Sequence, residues 1–271
     1  MPSALREQAI VVKNGAYLTT RKNSNPKGQQ TPRRTGSSRS IIVKIQAAPR
    51  HITFDVFAAL FDWEGSLTPG VADLLKGQKG VDVATFLQVW RRTQLEYTYV
   101  TTLLGQEFLK FETLTRRALE YTLKFFHVIS NEDTVKGLVD GWSMLNAFPD
   151  VREGLLQLKN RYVIGLLSNG DQAMLSRLAN RLGVEFHTIV SAERAGAYKP
   201  HPRIYREAVK LMGNDPSQIL HVAGSGRDAI GAKAVGMKAA WINRKGLPMD
   251  WDIPLDFEVK SFRELTSALQ Q

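Results

Sequence analysis

At 271 residues with 43% hydrophobic side chains, the chain has enough apolar material for a sizeable core, in one large domain or two small ones. It has no cysteine, which excludes disulfides, thiolate metal sites and a cysteine nucleophile, and no apolar run approaches the roughly 18 residues of a membrane span. The formal net charge of +10 invites a nucleic-acid partner, but residues 1–50 carry ten Lys or Arg against the single acid Glu7, and the remainder carries 26 basic and 25 acidic residues. The basicity therefore belongs to an appendage and the folded part is almost neutral. Neither a nucleic-acid nor a membrane partner is expected.

Residues 1–50 read as a basic, mostly unstructured tail, with Thr19–Ser40 rich in Arg, Lys, Ser, Thr, Asn, Gln and Pro. An acid-poor N-terminus of this kind is compatible with organelle targeting, and a solvated tail on a cytoplasmic protein accounts for it equally well. From Ile52 the character changes. The run Ile52-Thr53-Phe54-Asp55 reads as an apolar strand ending in a carboxylate, followed by a loop containing Gly65, Pro69 and Gly70. Helical spacing then covers Val83–Leu104, with Phe86, Trp90, Thr93, Tyr97 and Leu104 along one stripe, and 108–128, with Phe111, Leu114, Ala118, Tyr121 and Phe125. A further helix is expected over 131–145. No strand-like segment interrupts 71–146, which is the mark of a helical cap inserted into an α/β pattern.

Alternation resumes after Pro149. Helices are expected over 151–159, from Asp171 (as N-cap), over 203–212, 228–235 and 261–270. Strands are expected over 162–167, near 186–190, and over 218–223, 238–243 and 257–259. This order implies a Rossmann-like, doubly wound parallel sheet with helices on both faces, formed by 51–70 and 147–271, with 71–146 as the α-helical cap.

Ligands in such sheets bind beyond the carboxyl ends of the strands. Asp55, Ser168-Asn169, Lys199 and Asp228 all fall at strand ends or in the loops just after them. Asp55 alone could simply cap the next turn, Lys199 could lie on the surface and Asp228 could cap its own helix. Their types are nevertheless complementary: a carboxylate nucleophile, a cation that would keep it ionised, and a second acid to hold that cation. Ser168 and Asn169 add hydrogen-bond donors for an anionic group. Arg91 lies between Leu87 and Leu95 on an apolar stripe and is expected to enter a cleft, whereas Arg92 is placed to pair with Glu96 on the surface. The five histidines show no metal-ligand spacing.

The series Phe54-Asp55-Val56-Phe57, Trp90-Arg91-Arg92-Thr93-Gln94-Leu95-Glu96-Tyr97, Leu167-Ser168-Asn169-Gly170, Tyr198-Lys199-Pro200, Arg203-Ile204-Tyr205 and Trp241-Ile242-Asn243-Arg244 resembles the type II (L-2-)haloacid dehalogenases of the haloacid dehalogenase-like superfamily. The resemblance runs in order from about residue 50 to the end. It implies hydrolytic dehalogenation of short 2-haloalkanoic acids through an ester on Asp55, with no metal and no cofactor. Arg91 and Asn169 would receive the halide, and Ser168 would bind the substrate carboxylate. Lys199 would support Asp55, Tyr205 would line the site, and Asp228 would position Lys199 and the hydrolytic water. Ser225 stands where the family has a binding Asn. The resemblance also implies that exposed cap helices pair between subunits in a homodimer.

Two rival readings follow from departures. The superfamily's phosphatases place a second Asp two residues after the nucleophile, and here that place is Phe57, which cannot transfer a proton. The dehalogenases have Gly-Thr where this chain has Ala58-Ala59, a Ser where it has Ala223, and an aromatic residue where it has Arg227. A superfamily hydrolase for another small acid or a phosphoester, or a catalytically weakened anion-binding member, are the alternatives these changes raise.

Overall fold

The computed structural model describes residues 49–270 apart from Gln106, Asn214 and Asp250, so the expected basic tail lies outside the described residues except for Pro49 and Arg50. The strands are β1 (His51–Phe54), β2 (Phe61–Asp62), β3 (Asn146–Ala147), β4 (Val163–Ser168), β5 (Thr188–Ser191), β6 (Ile219–Ala223), β7 (Lys238–Ile242) and β8 (Phe257–Val259). Six of them form one parallel sheet in the order β5-β4-β1-β6-β7-β8. β1 is in register with β4 on one side (Phe54 opposite Leu166) and with β6 on the other (Thr53 opposite His221).

The helices are α1 (Trp63–Leu75), α2 (Val83–Leu104), α3 (Phe111–Phe125), α4 (Glu132–Gly141), α5 (Val151–Lys159), α6 (Gln172–Leu182), α7 (Ala192–Ala195), α8 (Pro202–Leu211), α9 (Gly226–Ala234) and α10 (Phe262–Ala268). Alternation along β1 sends side chains to two covered faces. Phe54 stacks on Phe262 of α10, with ring centroids 5.5 Å apart. Thr53 points the other way, toward the side on which Tyr205 of α8 meets His221. A strand covered on both faces reads as a continuous apolar run, and every residue of β6 is buried. This is an α/β fold with a Rossmann-like sheet. Among the described residues, no helix is long and apolar enough to cross a membrane.

Helices α1–α4 fill the stretch between β2 and β3, which pair antiparallel. Neither short strand was expected, and β3 overlaps the end of the stretch read as free of strands. Two-residue strands carry no period of their own. Gly65, Pro69 and Gly70, expected in a loop, lie inside α1. Asp62 starts that helix by accepting the Gly65 N–H at 2.9 Å. Leu67, Val71, Leu74 and Leu75 bury its inner face, and at roughly 1.5–3 kcal/mol each they outweigh the ~3 kcal/mol that an interior proline costs. Three members of the expected stripes are exposed instead: Leu104 at the end of α2, and Tyr121 and Phe125, which stack on each other on the outside of α3.

Candidate active site

Because β4, β1 and β6 are neighbours, their carboxyl ends bring together residues far apart in sequence. Asp55 follows β1, Ser168 ends β4, and Ala223-Gly224-Ser225 leaves β6 for α9. The β6 turn passes so close to the β1 turn that a Cβ on Gly224 would lie 2.5 Å from the Phe57 carbonyl oxygen and 2.7 Å from the Ala59 nitrogen. Only glycine fits there. Ala58 has φ 70°, the left-handed region that favours glycine.

A cavity of about 640 Å³ opens beyond these strand ends, with Asp55, Arg91, Asn169, Lys199, Ser225 and Asp228 in its wall. Lys199 Nζ donates to Asp55 Oδ1 at 3.1 Å and to Asp228 Oδ2 at 2.8 Å, so one buried ammonium serves two buried carboxylates. Its backbone N–H donates to Asn169 Oδ1 at 2.8 Å. This fixes the amide and leaves Asn169 Nδ2 without a protein partner among the described residues.

The two acids are held unequally. Burial raises the Asp55 carboxyl above its ordinary range, and Lys199 only partly opposes this. Burial also acts against ionised Asp228, but His221 and Lys199 outweigh it and hold that carboxyl well below its ordinary range. Asp228 has the closer donors and is the more firmly ionised of the pair.

Arg91 lies over the rings of Trp142, Phe57 and Trp63, with its guanidinium carbon 5.1, 5.4 and 5.6 Å from their centroids. It donates to Gln94, a neutral partner. Burial lowers its pKa to about 10, with the Asp55 charge pulling the other way, so it stays cationic at neutral pH. Arg92 is outside, 3.7 Å from Glu96.

Two expected site residues lie behind the cavity rather than in its wall. Ser168 is fully buried and donates from Oγ to Asp55 Oδ1 at 3.0 Å, so it touches the acid and not the space where a substrate carboxylate would lie. Tyr205 is also fully buried and donates to Asp228 Oδ1 at 2.8 Å. Ser225 serves α9 as N-cap, accepting the Asp228 N–H at 3.4 Å. Asp171 stands at the cap position of α6 but bonds elsewhere: it accepts the N–H groups of Phe111 and Glu112 at the start of α3, at 2.7 and 2.9 Å.

Sequence reasoning missed His221, whose Nε2 lies 3.0 Å from Asp228 Oδ2 and whose Nδ1 lies 2.9 Å from Thr53 Oγ1. The available signal was one polar residue in the middle of an otherwise apolar strand, Ile219-Leu220-His221-Val222-Ala223. Among the described residues, no group of three or more His, Asp or Glu is placed to hold a metal ion.

The sequence profile of the haloacid dehalogenase-like hydrolases matches residues 57–236. The chain is 35% identical to haloacetate dehalogenase H-2 of Moraxella sp. (strain B) over 205 residues, 73% of this chain and 88% of that one. It is 31% identical to (S)-2-haloacid dehalogenase 4A of Burkholderia cepacia over 224 residues, 81% and 94% of the two chains. Among solved structures, the L-2-haloacid dehalogenase of Xanthobacter autotrophicus with chloropropionic acid covalently bound matches with a TM-score of 0.72 and 25% identity, covering 82% of this chain and 98% of that one. Profile, relatives and architecture agree: the chain belongs to the haloacid dehalogenase-like hydrolase family.

Proposed function

We propose that the protein hydrolyses the carbon–halogen bond of short 2-haloalkanoic acids, giving 2-hydroxy acids through an ester on Asp55. The observation that carries this reading is the inequality of the two Asp55 oxygens. Oδ1 accepts from Ser168 and Lys199, whereas Oδ2 has no hydrogen-bond partner among the described residues. Oδ2 is therefore the nucleophile. It forms a bond to C2 of the substrate while the halogen leaves with the bonding pair. Arg91, Asn169 Nδ2 and the Ser225 hydroxyl are the cavity donors that share the substrate carboxylate and the departing halide.

Water then attacks Cγ of the ester. Negative charge builds on Oδ1, where two donors already point, and preorganised donors of this kind are worth about 10²–10³-fold each. The tetrahedral species expels the 2-hydroxy acid with Oδ2; one proton of the water passes by way of Asp228 to the departing alkoxide, and the other leaves the new carboxyl to solvent, so that Asp55 is again a carboxylate. Lys199 occupies the space between the two carboxylates with its own positive charge, so the scheme uses no metal.

In this reading α1–α4 act as the cap that carries Arg91 over the cavity. Two copies pair through the exposed Leu103, Leu104, Tyr121 and Phe125 of the cap, which light scattering would test. Phosphoester hydrolysis is disfavoured because Phe57, where the proton donor would stand, is buried and stacked 5.3 Å from Phe111.

The test is halide release from L- and D-2-chloropropionate with EDTA present, by wild type and Asp55→Asn, with one turnover in ¹⁸O-water. Halide from wild type alone, and label incorporated into Asp55, is the expected result. No release from either enantiomer by wild type would refute the reading.

A further inference from the structure

His221 is the buried titratable group for which the proposed reaction has no task. It lies in the middle of β6, fully buried, and no substrate in the cavity reaches it. The groups around its ring are Thr53 from β1, Asp55 just after it, Lys199 from the loop before α8, Tyr205 from α8 and Asp228 from α9. Nε2 is 3.0 Å from Asp228 Oδ2 and 3.3 Å from Lys199 Nζ, Nδ1 is 2.9 Å from Thr53 Oγ1, and the Tyr205 ring meets the imidazole edge-on at 5.9 Å. An ionised carboxylate only accepts, so the short contact places the hydrogen on Nε2. In the neutral ring Nδ1 then holds the lone pair, and the Thr53 hydroxyl donates to it. Both Asp228 oxygens are thereby held, Oδ2 by His221 and Lys199 and Oδ1 by Tyr205.

This matters most after the first chemical step. Esterification on Oδ2 removes the negative charge of Asp55 and leaves Oδ1 a neutral carbonyl oxygen, a weaker acceptor for Lys199. From then on the charge that keeps the ammonium beside Oδ1, where the charge of the hydrolytic step develops, is that of Asp228. Resting on the reading above, we propose that His221, held by Thr53 as its Nε2–H tautomer, is a positioning residue for ester hydrolysis: it locks Asp228 in the orientation that keeps Lys199 on Asp55.

Rapid-mix kinetics with L-2-chloropropionate separate halide release from hydroxy-acid release. His221→Phe is expected to give a burst of about one halide per site and then a steady state about tenfold or more below wild type. His221→Gln, whose Nε2–H can reach the same oxygen, is expected to return to within about threefold. Thr53→Val, which removes the donor to Nδ1, is expected to slow the same step by less, and it decides the matter if His221→Phe does not fold. Ring ¹⁵N shifts of His221 should report the Nε2–H tautomer without any turnover.

A wild-type steady state in His221→Phe, equal slowing in the Phe and Gln variants, or the Nδ1–H tautomer would overturn the role. If wild type itself releases no halide, the dehalogenase reading fails and this role falls with it. If wild type turns over and His221→Phe matches it, only the role fails.

Discussion

Lys199→Met tests the electrostatic core of the site. The ammonium lies 3.1 Å from Asp55 Oδ1 and 2.8 Å from Asp228 Oδ2, all three groups being buried. At an effective dielectric of about 20, one such pair is worth roughly 5 kcal/mol, all of it favouring ionised Asp55. Arg91 remains in the same cavity wall and His221 remains on Asp228, so only part of that is lost, and the Asp55 pKa moves further up. If Asp55 is the nucleophile it acts only when ionised, so activity at neutral pH is expected to fall and to recover as pH rises through the new pKa. The acid limb of log kcat/KM for halide release against pH reports it directly.

Stability should move in the opposite sense. With no cation between them, two buried carboxylates penalise the fold by about 3–5 kcal/mol near neutral pH, and protonation relieves this as pH falls through the raised pKa. Urea unfolding at two pH values reads it. An acid limb displaced by less than about half a unit, in a variant that stays folded, would refute the claim that Lys199 keeps Asp55 ionised.

Other consequences follow from single residues. In wild type, burial raises Asp55 above the ordinary carboxylate value of 3.8, so the acid limb of kcat/KM should lie above that pH; a limb at or below it would contradict the assignment. Asp228 is depressed, so the stability it contributes is present above its unfolded pKa and is lost as pH falls through the folded one. Arg91→Gln removes the guanidinium held over three rings and is expected to lower kcat/KM for dehalogenation by about 10²–10³-fold, with a circular-dichroism spectrum like wild type. Asp171→Ala strands the Phe111 and Glu112 N–H groups at the start of α3; a loss of about 1–2 kcal/mol in chemical denaturation, with faster amide exchange at those two positions, is the expected result. Ala58→Gly relieves a left-handed alanine at φ 70°; strain of about 1–2 kcal/mol less the entropy a glycine adds leaves a gain of up to about 1 kcal/mol, read as a raised melting temperature.

How much was legible depended on whether the information is local. The α2 and α5 boundaries, the parallel sheet and the strand ends bearing Asp55 and Asn169 follow from periodicity and punctuation within short windows, whereas Lys199 enters from the loop between α7 and α8. Gly65, Pro69 and Gly70 misled because local breakers were overruled by the burial of Leu67 and Val71, a tertiary quantity. The residue types that answer Asp55 were visible, but not which of them line the cavity. Ser168 and Tyr205 carry the right donors, yet each spends its donor on an acid from behind.

By itself, then, the sequence determined the alternation of elements, the carboxylate at the end of the first strand, the separation of Arg91 from Arg92 and the family resemblance, because each resides in a run of neighbouring residues. Only the tertiary structure decided that one lysine is shared by two acids 144 and 29 residues away, that Asp171 caps a helix 60 residues earlier, and that His221 stands behind Asp228. Those pairings are set by which strands lie side by side. Strand order is a property of the whole sheet that no single segment encodes.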